Sequence, residues 1–114
     1  MSTNNSMPDV PPPVQRFVAA INDADTERFV SAFAEDGFVD DWGRKLTGHD
    51  GIREWAATDA IGMGAQMTIL SAHVNGDTVT TTFAWKSRRF TGESTGIFAV
   101  RGDVLAGFTI PPHH

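Results

Sequence analysis

The sequence contains no cysteine, which excludes disulfides, thiolate nucleophiles and zinc–thiolate sites. It contains no tyrosine, so no phenolic hydroxyl can act as a proton or hydrogen-bond donor. Basic residues are scarce: 9 Lys and Arg stand against 14 Asp and Glu, for a net charge of −5. Nucleic-acid binding needs a clustered basic excess, so this charge argues against it and serves solubility instead. No apolar run is long enough to span a membrane. The opening "MSTNNSMPDVPPP" lacks the basic start and apolar core of a signal peptide. A cytoplasmic location is therefore expected, and the sequon at Asn4 carries no meaning there.

What remains is a chain of 114 residues, enough for one domain with a single modest core. Residues 1–10 are polar and aperiodic, and a disordered tail is expected there. Residues 11–114 are expected to form one α+β domain. The prolines of "DVPPP" can lead into a helix, where Val14, Phe17, Val18 and Ile21 recur at helical spacing. Asp23 or Asp25 caps a second helix, with Phe29, Val30 and Phe33 as its buried stripe and Gly37 as its end. Phe38 to Asp41 reads as a short strand, "WGRK" as a turn and Lys45 to Thr47 as the returning strand. "GHD" starts a third helix, with His49 or Asp50 as cap and Ile52, Trp55 and Ala56 as its apolar stripe. Beyond "IGMG" the period becomes two. Gln66–Val74, Thr78–Ser87, Glu93–Val100 and Val104–Ile110 are strands joined by turns at Asn75-Gly76-Asp77 and Arg101-Gly102-Asp103. The RGD tripeptide is read as that turn and nothing more.

The stretch "VQRFVAAINDADTERFVSAFAEDGFVDDWGRKLTGHDGIREW" carries a rhythm that is similar to a known superfamily. One helix ends in a small-residue turn, and the next ends "F-A-x-D". A strand with acids follows, then "x-x-I-R-x-W". In these features the chain resembles the nuclear transport factor 2-like superfamily, which includes ketosteroid isomerases and polyketide cyclases of the SnoaL type. The resemblance runs over residues 13 to 110. It implies a cone-shaped, curved, mainly antiparallel sheet wrapped around three N-terminal helices. It also implies an apolar pocket at the open end and, in many members, a homodimer formed through the sheet. The fold says little about the reaction, because one scaffold hosts enzymes, binders and structural partners alike.

Asp41 falls where ketosteroid isomerases carry their general base. Strand alternation sets Val39 and Asp41 on one face and Phe38 and Asp40 on the other. One acid can thus face a cavity while its neighbour stays wet. The competing reading is that both acids merely end a strand, or that one pairs with Arg44 or Arg53. The isomerase's enolate-stabilising tyrosine has no counterpart: the matching position looks like Phe17. No second acid lies in "STGIFAV", and the strands lack the Asp-Arg-Asp set of the epoxide-hydrolase branch.

His73, in "MTILSAHV", is either a second acid–base group in register with Ile69 and Ser71 or a hydrogen-bonded sheet histidine. His49 is read as a helix-start residue. No metal motif and no cofactor signature is present. The terminal His113 and His114 are too weak a signal for a metal site. Phe17, Trp42, Trp55, Phe83, Trp85 and Phe98 are candidate walls for an apolar small molecule, or else plain core or interface. "KSRRF" is a solvated strand end that could attract an anionic group at a pocket mouth. Two functions follow. One is a small-molecule-binding SnoaL-like protein with Asp41 as base and His73 as its partner. The other is a non-catalytic ligand-binding or protein-interaction module.

Overall fold

A computed structural model describes residues 9–112. Helix α1, Pro12–Asn22, opens on two prolines, whose missing N–H groups cost nothing in a first turn. Val14, Phe17, Val18 and Ile21 form its buried side. Helix α2, Thr26–Ser31, is capped by Asp25, whose carboxylate accepts the Arg28 backbone N–H at 3.1 Å. Strands β1 (Phe33–Asp41) and β2 (Arg44–Thr47) precede helix α3 (Gly48–Asp59) and a single 3-10 turn at Ile61–Met63. Strands β3 (Gln66–Asn75), β4 (Thr78–Lys86), β5 (Thr91–Arg101) and β6 (Val104–Ile110) complete the chain. Glycines at 76 and 102 take positive φ in the two tight turns that the sequence marks.

The six strands form one curved, open sheet in the order β2-β1-β6-β5-β4-β3. All pairs are antiparallel except β1 with β6, which run parallel. The α+β class expected from the sequence is therefore the class observed. Val10 is buried and its carbonyl accepts from the Gln15 side chain at 2.9 Å, so the packed region begins before residue 11. The rest of the expected tail, residues 1–8, lies outside the described residues, as do His113 and His114.

Three expectations are corrected. Helix α2 stops at Ser31, and Phe33 belongs to β1 rather than to a helical stripe. Gly37 lies inside β1, where the register with β6 shifts between Phe33 and Phe38. A Cβ there would come within 3.0 Å of the Ala34 carbonyl oxygen. The physical cause is non-local. The Leu105 backbone N–H donates to Ala32 O at 2.8 Å, and Phe33 pairs with Leu105. A partner some seventy positions away thus turns "FAEDG" from helix end into strand. Helix α3 is preceded by Thr47 and has no side-chain cap. His49 instead places Nε2 3.0 Å from the Phe33 carbonyl oxygen.

The core is an aromatic cluster on one face of the sheet. Phe17 has no exposure and meets Phe108, Phe98, Phe29 and Phe33 at centroid distances of 4.7, 4.9, 5.0 and 5.9 Å. Gly96 in β5 makes room for it: a Cβ would meet Phe108 at 2.7 Å and Phe83 at 2.9 Å. Both rings lie across the strand where a side chain would stand. Phe17→Ala should therefore cost about 3–5 kcal/mol in urea unfolding, and Gly96→Ala about 1–3 kcal/mol through overpacking. A Gly96→Ala protein as stable as wild type would show that the rings move aside freely.

Candidate ligand-binding site

The end of β1 is a two-residue hairpin. Asp41 pairs with Arg44, leaving Trp42 and Gly43 at the tip with φ of 57° and 88°. Both values suit a type I′ turn, for which Asn-Gly is the ordinary choice. Asp40 serves this turn: its Oδ1 accepts the Gly43 N–H at 3.0 Å. Asp40 is paired with Thr109 on the outer face of the sheet, and Asp41 with Ile110 on the inner face. The adjacent acids thus divide, one to architecture and one to a cavity.

That cavity is an open cleft of about 490 Å³. Trp55 from α3, Phe83 and Trp85 from β4 and Ile110 from β6 supply its apolar wall. Trp42 and Phe90, 55% and 52% exposed, line it nearer solvent. Asp41, Asp59, Glu93, Arg89, Ser87 and Ser94 are its polar members. Trp55 is almost fully buried and its indole Nε1–H donates to Asp41 Oδ2 at 3.1 Å. No hydrogen bond from a described residue reaches Asp41 Oδ1. No cation among the described residues pairs with Asp41 either, since Arg44 pairs with Asp59 at 3.4 Å and Arg53 with Glu27. Asp59 also has Arg89 at 3.9 Å. Arg88 closes the same corner: its backbone N–H donates to Met63 O and its guanidinium to Gly62 O. The loop after β4 is in this way held against the end of α3.

Four of the sequence candidates, Trp42, Trp55, Phe83 and Trp85, come together around Asp41. Phe17 and Phe98 do not; both have no exposure and pack edge to face behind the cleft, inside the core. His73 does not join Asp41. A bulge in β3 pairs Ile69 with Phe83 but Ser71 with Thr82 and His73 with Thr80, so Ser71 and His73 turn to the outer face. There His73 is exposed and lines a shallow depression with Ser71, Thr80, Thr82 and Thr95. Sequence reasoning missed Asp59, Glu93 and Ser94, and reached Arg89 and Phe90 only through "KSRRF" as a charged segment at a pocket mouth. The signal for Asp59 was present: it stands four residues after Trp55, on the same helical face. Among the described residues no cluster of histidines and acids is arranged to hold a metal. No helix among them is long and apolar enough to cross a membrane.

A family model for the SnoaL-like domain matches residues 14–108. The chain belongs to the SnoaL-like domain family. Its structure is similar to that of a candidate polyketide cyclase from Sinorhizobium meliloti, 25% identical, with a TM-score of 0.79 over 90% of this chain and 95% of that one. It is also similar to a Catenulispora acidiphila protein of ketosteroid isomerase-like fold, crystallised with trimethylamine. That protein is 24% identical, and the TM-score is 0.77 over 91% and 87% of the two chains. A computationally designed 17-OHP binder shares the fold at 14% identity, TM-score 0.76, over 91% and 93%. No curated protein matches the chain by sequence. The SnoaL-like chain has the nuclear transport factor 2-like fold.

Trp42 separates stability from site. A bulky residue with positive φ costs about 1–2 kcal/mol, and such strain marks functional positions. Trp42→Asn should relieve this strain in the turn while opening the cleft, so that acrylamide quenches the two remaining tryptophans more strongly. Asp41→Ala strands a buried indole donor and should cost about 1–3 kcal/mol. Asp41→Asn keeps an acceptor for Trp55 and should cost less. Equal losses for the two Asp41 variants would mean that Trp55 finds another partner.

Proposed function

We propose that this SnoaL-like protein binds a small molecule with a mostly apolar body in the aromatic cleft, with Asp41 as the proton-accepting group that contacts it. One observation carries the reading: a carboxylate held by a buried indole N–H among Trp55, Phe83 and Trp85, with no ion pair to a described residue. A carboxylate in apolar surroundings is the group that general-base chemistry on a carbon acid requires. The likeness to the candidate polyketide cyclase supports a cyclic, carbonyl-bearing compound as substrate class.

A second reading has its own support. Without tyrosine, the cleft offers Ser87, Ser94 and Arg89 as donors to a developing oxyanion, and Arg89 is well exposed. Donors open to water stabilise such charge weakly. On this reading the cleft binds without catalysis. His73, on the outer face, has no part in either chemistry.

The two readings part in one experiment. Tryptophan fluorescence is titrated with a polycyclic ketone, and α-proton exchange of that ketone in D₂O is followed by NMR. Catalysis predicts saturable binding with exchange that falls by about 10²–10⁴ in Asp41→Asn. Saturable binding without exchange selects the non-catalytic reading. No binding removes the cleft as a ligand site.

We also propose a homodimer through the outer face. Thr82, Ala84, Thr95, Ile97 and Ala99 there are small or apolar and only half-buried. Sedimentation at high micromolar concentration should give twice the mass of one chain, and a monomer under those conditions removes the idea.

A further inference from the structure

We propose that the molecule the cleft takes carries a protonated amine or another small organic cation, placed between Asp41 and the aromatic rings. The inference rests on the reading of the cleft as a ligand site and adds the charge of the ligand to it. Its basis is a mismatch of charge within one cavity. Asp41 is a half-buried carboxylate with a single neutral donor, the Trp55 indole, and no cationic partner among the described residues. A carboxylate so placed lacks a counter-charge among the described residues, and a bound cation supplies the missing half of an ion pair.

The surroundings fit the same ligand. Indole faces attract cations more strongly than other side-chain rings do. Trp42, Trp55 and Trp85 all line this cavity, and these are all the tryptophans of the chain. Phe83 and Phe90 add two phenyl rings, Phe90 nearer solvent. The opposing charge is accounted for: Arg89 lies 3.9 Å from Asp59, which Arg44 also holds at 3.4 Å. Asp59 thus takes up both of these guanidiniums, and no guanidinium among the described residues pairs with Asp41. Trp42 gives a further reason. Its positive φ is a cost that the turn alone would avoid with asparagine, and its ring lines the cleft.

The test uses three probes with one apolar cage and different heads: 1-adamantylmethylamine, 1-adamantanemethanol and 1-adamantanecarboxylate. Binding is measured at neutral pH by calorimetry and tryptophan fluorescence on the full chain. The amine should bind about tenfold or more tightly than the alcohol, and the carboxylate most weakly. Asp41→Asn, with its circular dichroism unchanged, should bring the amine to the alcohol's affinity. Trp42→Asn should weaken both and reduce the amine's advantage over the alcohol.

Alcohol binding equal to or tighter than amine binding overturns the cation while leaving the cleft as a ligand site. Preference for the carboxylate overturns it in favour of Arg89 as the charge that selects. An amine preference that survives Asp41→Asn overturns the assignment to Asp41. If none of the three binds, the reading of the cleft as a ligand site fails with it.

Discussion

The hydrogen bond from the Trp55 indole to Asp41 is the contact on which the remaining arrangement depends. Trp55 is the largest fully buried side chain of the domain. It stacks on Phe29 at 5.9 Å and lies 6.0 Å from Trp85 and 6.2 Å from Phe108. It therefore belongs to the core on one side and to the cleft on the other. A buried indole N–H needs an acceptor, and the inner-face residue at the end of β1 is the one that provides it. The same bond completes the core and fixes the orientation of the carboxylate in the cavity. A scaffold built this way holds its polar group on rigid elements, a strand end and a helix, rather than on a mobile loop.

How far the sequence could be read depended on the range of the forces involved. The period-two strands β3 to β6 and the glycine turns between them rest on local chemistry, and they were legible. So was the division between Asp40 and Asp41, because strand alternation over two residues is hard to break. Phe33 and Gly37 were misplaced because β1 takes its hydrogen bonds from β6, the last strand of the chain. His73 was assigned to the wrong company because a single extra residue near Leu70 reverses alternation along β3. No local pattern announces such a bulge. Arg89 and Asp59 meet only through packing of the loop after β4 on the end of α3. "KSRRF" suggested a charged pocket mouth without showing its partner.

Four consecutive residues, Asp40 to Gly43, show how turn chemistry and site chemistry share one hairpin. Asp40 accepts the Gly43 N–H, and Gly43 takes a positive φ without cost. Asp41 closes the ladder with Arg44 and faces the cleft. Trp42 is the member that the turn does not want. Its backbone N–H donates to Ile110 O at 2.9 Å, which ties the hairpin tip to the last strand. Ile110 in turn lines the cleft beside Asp41. The tip therefore cannot shift without moving part of the wall.

The absence of tyrosine limits what such a site can do. General-base removal of a proton from a carbon acid leaves an enolate, and that charge must be met by donors already in place and shielded from water. Here the buried donor, the Trp55 N–H, is committed to Asp41 itself. The cleft thus stabilises its own negative charge and leaves little for a second one on the ligand. A positive group changes the balance, because it satisfies Asp41, meets the indole faces and needs no oxyanion donor at all. The residues that would make this scaffold a poor enolate stabiliser are the same ones that suit it to holding a cation.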